Sequence, residues 1–346
     1  MSSNSAQKSL TRRGAIKTVG AAAVAATMAP NILVAGSEKK TSKVLGADAH
    51  TYEWVDGWGQ LPASVEYGTT HGIAEDSHGR IYVHNMSKHG MIVFDPDGKF
   101  IESWGEEFEG GAHGITVSKE GGDEFLYLSD MGRRILVKTT LDGEVVWTQE
   151  FPKEPGLYKD IQEYRPTEVA VAPNGDFYVA DGYGSHYIHQ YDKDAKYIRT
   201  WGGQGTEDGQ FKTPHGISLD TRSGSPLLAV CDRANARIQY FDLEGNFVRK
   251  FSAELLFPCH TDTRGEDVLV SDLYGRVAIY DKDDQPTHLL GDNPGVNKAE
   301  GYPNLKEIQE VGKFISPHCG IWDREGNIYI AEWINTGRVT KLKHVT

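Results

Sequence analysis

The 346-residue chain sets a histidine in one recurring context: Thr70-His71-Gly72-Ile73, Ala112-His113-Gly114-Ile115, Pro214-His215-Gly216-Ile217 and Pro317-His318-Cys319-Gly320-Ile321. Two further segments occupy the same place in the pattern with other residues, Pro166-Thr167-Glu168-Val169 and Pro258-Cys259-His260-Thr261. His113 and His215 are 102 positions apart, and His215 and His318 are 103 apart. Imidazoles repeated at even spacing can assemble a metal centre. Three neutral imidazoles with a fourth position open are the donors of a catalytic rather than a structural zinc, which polarises an oxygen of its substrate. The other reading is that these histidines hydrogen-bond to channel waters or neighbouring backbone. The remaining set, His71, Thr167 and Cys259, is a poor ligand triplet because threonine rarely binds metal. Two turns add acid–base candidates, Tyr183 in Asp181-Gly182-Tyr183-Gly184 and Arg233 in Asp232-Arg233-Ala234-Asn235. Nearby cations favour phenolate, so Tyr183 beside a metal and Arg233 is expected to ionise more easily than a free tyrosine. The bland alternative is that both merely pack over a sheet edge.

The elements that must position these residues are short strands in a repeated unit. Second strands read Arg80-Ile-Tyr-Val-His-Asn85, Phe125-Leu-Tyr-Leu-Ser-Asp130, Asp176-Phe-Tyr-Val-Ala-Asp181, Leu227-Leu-Ala-Val-Cys-Asp232, Asp267-Val-Leu-Val-Ser-Asp272 and Asn327-Ile-Tyr-Ile-Ala-Glu332. A third strand follows each, rich in β-branched and aromatic residues. Turns such as Asp97-Gly98, Asp142-Gly143, Asn174-Gly175 and Glu244-Gly245 supply tight hairpins. Six units predict an all-β, six-bladed β-propeller over residues 50–346. The sixth unit reaches Thr346 without a fourth strand, and Tyr52-Glu-Trp-Val-Asp-Gly-Trp58-Gly59 has the missing outer-strand character, so it is expected to close the ring. Two separate β-sandwiches would explain neither six equal units nor this orphan strand. Alternate blades of a sixfold ring lie about 120° apart, so His113, His215 and His318, from blades two, four and six, should converge on the axis.

Composition narrows the partners. Thirty-six Lys and Arg against 49 Asp and Glu leave a formal charge of −13, which argues against nucleic acid and anionic membrane as main partners. Three cysteines, Cys231, Cys259 and Cys319, without C-x-x-C spacing indicate neither a disulfide framework nor a thiolate zinc site. Residues 1–40 differ from the rest: Lys8, Arg12, Arg13 and Lys17 precede an Ala-rich run from Val19 to Ala29, and no acid occurs before Glu38. This is the layout of an export signal and linker. Thr11-Arg12-Arg13-Gly14-Ala15-Ile16-Lys17 is similar to the twin-arginine signature, so a periplasmic or secreted protein is expected, with cleavage between Ala35 and Ala49. No second apolar stretch is long enough to span a bilayer, so no membrane span is expected in the mature chain.

The repeat resembles the NHL repeat, and Pro166 to Asp242 is similar to the peptidyl-α-hydroxyglycine α-amidating lyase domain of peptide-amidating enzymes. The shared words are Pro166-Thr-Glu-Val-Ala-Val, Asp181-Gly-Tyr, Tyr197-Ile-Arg-Thr-Trp-Gly, Gln210-Phe, Pro214-His-Gly and Asp232-Arg-Ala-Asn-Ala-Arg-Ile-Gln. Ala112-His113-Gly114 and Pro317-His318 match the two other zinc-histidine motifs. The resemblance implies that His113, His215 and His318 hold zinc, that Tyr183 is the base, and that Arg233 lines the site. It further implies a peptide or small-molecule substrate, a peptidyl-α-hydroxyglycine split into peptide amide and glyoxylate. The departures are specific. His84-Asn85, with only Lys88 and His89 nearby, stands where the family has a histidine followed by an arginine, which bears on substrate carboxylate recognition. Cys319 replaces the aspartate that helps hold a structural calcium, and Gly184 follows Tyr183 where the family has a disulfide cysteine. The 346 residues contain no copper monooxygenase domain. An alternative is a non-catalytic NHL-repeat propeller that binds a protein or glycan partner on its face. A calcium-dependent lactonase would want carboxylates and asparagine on the axis, where this chain offers imidazoles. His260 has no role in any of these readings.

Overall fold

A computed structural model describes residues 43–305 and 310–345. The leader predicted over residues 1–40, with its arginine pair, lies outside the described residues. Six antiparallel sheets follow one another around an axis. Blade one comprises Thr70–Glu75, Ile81–Asn85, Met91–Phe94 and Phe100–Trp104, and blade two Ala112–Glu120, Asp123–Asp130, Ile135–Thr140 and Val145–Gln149. Blade three comprises Glu168–Val171, Phe177–Ala180, Tyr187–Tyr191 and Tyr197–Gly202, and blade four Pro214–Asp220, Leu227–Asp232, Arg237–Phe241 and Phe247–Phe251. Blade five is built from Pro258–Arg264, Asp267–Asp272, Arg276–Tyr280 and Pro286–Leu290. Blade six takes Pro317–Trp322, Ile328–Glu332 and Arg338–His344 from the C-terminal end, and His50–Val55 and Lys43–Ala47 from the N-terminal side. The sheet thus begins ahead of residue 50, where the sequence pattern starts the propeller. Each innermost strand packs against the next, and the last against the first, so the fold is a six-bladed β-propeller.

The strands form because β-branched and aromatic residues face a neighbouring blade on both sides of each sheet, which keeps the second and third strands almost wholly buried. The hairpin glycines Gly98, Gly143, Gly175 and Gly245 have φ of 85°, 88°, 89° and 83°, a region costly for a side chain bearing Cβ. Between blades six and one, Trp58 sits 5.2 Å from the Phe94 ring and 4.9 Å from the Tyr329 ring, and its Nε1 donates to the Pro96 carbonyl at 3.2 Å. Tyr52 pairs with His344 across the N- and C-terminal strands, and its hydroxyl accepts from Trp322 Nε1 at 3.1 Å. No described helix is long and apolar enough to cross a membrane.

Candidate active site

The recurring histidines sit where the innermost hairpins lose register. The pairing of first and second strands shifts between Thr70 and Gly72, Ala112 and Ile115, Pro214 and Ile217, Pro258 and His260, and Pro317 and Cys319. A bulge places an unpaired residue on the bulged strand and re-aims its side chain. His71, His113, His215, Cys259 and His318 are the residues so re-aimed, and all are buried. Thr167 is turned otherwise, its hydroxyl donating to the carbonyls of Ala180 and Pro214.

The rings of His113, His215 and His318 lie 4.7–4.8 Å apart, centroid to centroid. Each commits Nδ1 to the ring residue of the next blade: His113 donates to Thr167 O at 2.7 Å, His215 to Cys259 O at 2.9 Å and His318 to His71 O at 2.8 Å. A carbonyl can only accept, so Nδ1 carries the hydrogen and the Nε2 lone pair is left for the axis. The glycine after the histidine makes this possible. A Cβ on Gly114 would stand 2.4 Å from Thr167 O, and one on Gly216 would stand 2.3 Å from Cys259 O.

Alternate-blade geometry predicts that His113, His215 and His318 converge; their rings adjoin, but the groups of close donor atoms divide them, with a fourth imidazole, His71, beside His113 and His318. His71 lies 4.9 Å from the His113 ring and 4.7 Å from the His318 ring, because around so narrow an axis adjacent blades approach as closely as alternate ones. It differs in its second nitrogen contact, since its Nδ1 faces Thr69 O of its own blade at 3.2 Å. Burial, then repulsion among the rings and from Arg233, holds His113, His215 and His318 well below the usual histidine range, and His71 is pushed down to about 3. The imidazoles are therefore neutral, the state a metal requires. His318 Nε2 is buried without a partner. Among the described residues, metal-capable donor atoms fall within 4.8 Å of one another in three groups: His71, His113 and His318; His215, Cys259 and His318; and, at the surface, Asp76, His78 and Glu124. The lone pairs and neutral charge of the ring fit a nitrogen-preferring divalent metal. The position expected for calcium offers no oxygen from Cys319, whose thiol turns to Ile73 O at 3.7 Å.

Tyr183 reaches the same point from blade three. Its hydroxyl lies 3.0 Å from His215 Nε2 and 3.4 Å from His113 Nε2, and accepts from Arg233 Nη1 at 3.1 Å. Tyr183 thus meets the histidines, and Arg233 meets Tyr183 and Cys259, rather than packing over a blade edge. The expected ease of ionisation is not met by the protein groups alone: burial raises the Tyr183 pKa, and the opposing charge of Arg233 does not offset it. The Asp181 carboxylate fixes the Tyr183 turn by accepting from the backbone N–H of Arg165 at 2.7 Å and of Ser185 at 2.6 Å. It also accepts from Tyr158 Oη at 2.8 Å, which in turn meets His189 Nε2 at 2.6 Å, while His189 Nδ1 meets Thr200 Oγ1 at 2.8 Å. Sequence reasoning missed this support and also Arg165, whose guanidinium carbon is 6.0 Å from the Tyr183 ring. One signal for the support was visible. Asp130, Asp232, Asp272 and Glu332 are each followed within six residues by the arginine that lies beside them, and Asp181 is not.

The first-blade departures take structural roles. His84 is buried against Phe108 with Nδ1 3.2 Å from Gly114 O, and Asn85 accepts from Gly68 N and Ser87 N while donating to His89 O. His260 donates through Nδ1 to Gly320 O at 3.2 Å and lines an axial cavity of about 330 Å³ away from the ring.

Fold and site together define a six-bladed propeller with a buried imidazole ring capped by a Tyr–Arg pair. No protein-family model matches the chain. It is 30% identical over 283 residues to peptidyl-α-hydroxyglycine α-amidating lyase 1 of Drosophila melanogaster, covering 73% of this chain and 48% of that protein. It is 29% identical over 217 residues to NHL repeat-containing protein 3 of Homo sapiens, covering 59% of this chain and 58% of that protein. A solved streptogramin B lyase superposes with a TM-score of 0.57 at 11% identity, over 81% of this chain and 95% of that one, a likeness of fold. The chain spans half or less of the curated amidating proteins it matches most strongly. It is an NHL-repeat-type propeller related in sequence to the amidating lyases.

Proposed function

We propose that the chain is a metal-dependent carbon–nitrogen lyase of the amidating-lyase type, cleaving a peptidyl-α-hydroxyglycine or a related N-acyl carbinolamine. The carrying observation is Tyr183 Oη within hydrogen-bonding distance of both His215 and Arg233. His113, His215 and His318 would hold zinc through Nε2. Zinc, when bound, supplies Lewis acidity toward an oxygen of the substrate.

The remaining work falls to the protein groups. Tyr183 takes the proton of the substrate α-hydroxyl, the hydroxyl electrons form the aldehyde carbonyl, and the C–N bond breaks toward nitrogen. The nitrogen gains a proton, giving amide and glyoxylate in balance. Arg233 keeps its guanidinium on the tyrosine oxygen, which favours the phenolate that proton abstraction needs. Arg165, close to the Tyr183 ring, supplies a second positive charge for the substrate carboxylate, in place of the arginine that blade one lacks.

Glyoxylate release from an α-hydroxyglycine-capped peptide by the purified, metal-loaded protein tests the proposal; a metal-loaded protein without that release rejects this substrate class. The non-catalytic alternative, a propeller binding a protein or glycan partner, is supported by the internal use of Asn85. We further propose export by the twin-arginine route to the periplasm or medium, supported by Arg12 and Arg13 in the leader.

A further inference from the structure

The mechanism above leaves two donors of the ring unused, His71 and Cys259. Cys259 occupies the ring position of blade five, is 1% exposed, and has its sulfur within 4.8 Å of donor atoms on both His215 and His318. The sulfur is 3.9 Å from Arg233 Nη1, and the thiol's contact is a long one, 3.7 Å to Phe257 O. His318, 4% exposed, presents an Nε2 with no partner to the same place.

The two donor groups on the axis, His71/His113/His318 and His215/Cys259/His318, share His318. Its Nδ1 is committed to His71 O, so His318 has one lone pair left and serves one ion at a time. The groups are therefore alternatives for a single ion, not two sites. They differ in kind, one offering three neutral nitrogens and the other two nitrogens and a sulfur. A thiolate is an anionic, soft donor that zinc and its cobalt substitute accept readily. The sulfur faces the axis beside Arg233 Nη1, within reach of the donor atoms of His215 and His318. His71 has no comparable support, since its Nδ1 lacks the inter-blade carbonyl that orients the other three rings.

Resting on the reading of the ring as a metal site, we infer that Cys259 is a metal ligand: on metal binding it gives its thiol proton to solvent, and the thiolate joins His215 and His318 on the ion. The site is then a mixed nitrogen–sulfur centre. The thiolate then stands where the reading above puts His113, and with three donors the ion keeps the same open position that three imidazoles would leave.

The test loads the mature protein with Co²⁺, whose spectrum reports its donors, and counts bound metal by plasma emission. One ion per chain with a near-ultraviolet thiolate-to-cobalt band is expected in the wild type, in His71→Ala and in Cys319→Ser. Cys259→Ser should lose the band and bind cobalt at least tenfold more weakly. One ion without the band overturns the inference and leaves an all-nitrogen site, whereas no bound ion overturns the metal reading and the inference with it. Should Cys259→Ser fail to fold, X-ray absorption on the zinc-loaded wild type decides: a sulfur neighbour at about 2.3 Å supports the inference, and a shell of nitrogen and oxygen only overturns it.

Discussion

Gly114→Ala probes the link between backbone packing and the histidine ring. The added methyl would lie 2.4 Å from Thr167 O and 2.4 Å from Glu168 Oε1, far inside contact distance. The Glu168 side chain can turn aside, but the carbonyl is part of blade three and must move with its backbone. That displacement costs about 1–3 kcal/mol, as overpacking does elsewhere. Thr167 O is also the acceptor for His113 Nδ1 at 2.7 Å, and a buried N–H left without it costs about 1–3 kcal/mol more. Taken together, about 2–6 kcal/mol corresponds to a melting point lower by about 3–10 °C for some 300 ordered residues. If the ring holds metal, losing the contact that orients His113 should weaken binding by about 10–100-fold. Thermal unfolding and competitive metal titration measure the two effects separately. Gly216→Ala should act alike through Cys259 O and His215. A Gly114→Ala protein with the wild-type melting point would refute the packing argument, and one that melts lower yet binds metal unchanged would refute the orienting role of the carbonyl.

Tyr183→Phe should keep the fold and the bound metal while abolishing glyoxylate release, because it removes only the oxygen that takes the proton; residual turnover above about 1% of wild type would assign the base elsewhere. Trp58→Ala should cost about 3–5 kcal/mol in denaturant unfolding by emptying the space between Phe94 and Tyr329. Asp262 lines the axial cavity and burial pushes its pKa up to about 6. Because the folded state holds this proton up to about pH 6 while the unfolded carboxyl loses it near 3.9, stability should fall as pH rises between those values. Asp262→Asn should flatten that slope and raise stability at pH 7 by about 1–3 kcal/mol, and an unchanged pH profile would place the slope on other groups. Replacing Arg12 and Arg13 with lysines should leave the precursor inside the cell, as seen by fractionation; normal export would remove the twin-arginine route.

The fold was legible because the repeat is written in residues whose roles are local. Alternating strand residues and Gly turns mark the six units from Arg80 to Glu332, and Tyr52 and Trp54 mark the strand that joins the last blade, although Trp58, expected in it, lies just beyond its end at Val55. Lys43–Ala47 escaped notice because a single edge strand bonds on one side only and carries little of the buried pattern, as its exposed Val44 shows. At the site, repeat position identified which residues face the axis, but not how near. That His71 and Cys259 join the ring depends on the width of the axis and on the bulges at Thr70–Gly72 and Pro258–His260, which are register features of paired strands. The direction of the Tyr183 shift was likewise a competition between burial and charge that no spacing could decide.

Blade three shows how a repeat acquires a special site without changing its frame. At the end of each second strand a polar side chain ties down the loop above it. In blades two, four and six it is an acid paired with an arginine, in blade five it is Asp272, whose neighbour Arg276 pairs instead with Glu254 and Asp292, and in blade one it is the neutral Asn85. An ion pair of this kind holds a loop through a long, charged side chain that itself occupies space above the strand. In blade three that space is taken by the aromatic Tyr158, and Asp181 instead receives a hydroxyl and backbone N–H groups from both sides of the Tyr183 turn. Burial raises the Asp181 pKa to about 6, and the tyrosine it supports has Arg233 from blade four on its oxygen and Arg165 near its ring. Gly182 and Gly184 allow the close approach of the turn to its support, with a Cβ on Gly184 meeting Asp181 Oδ1 at 2.0 Å. The Tyr183 turn is thereby held by Asp181 on one side, while the tyrosine oxygen meets His215 and Arg233 at the axis.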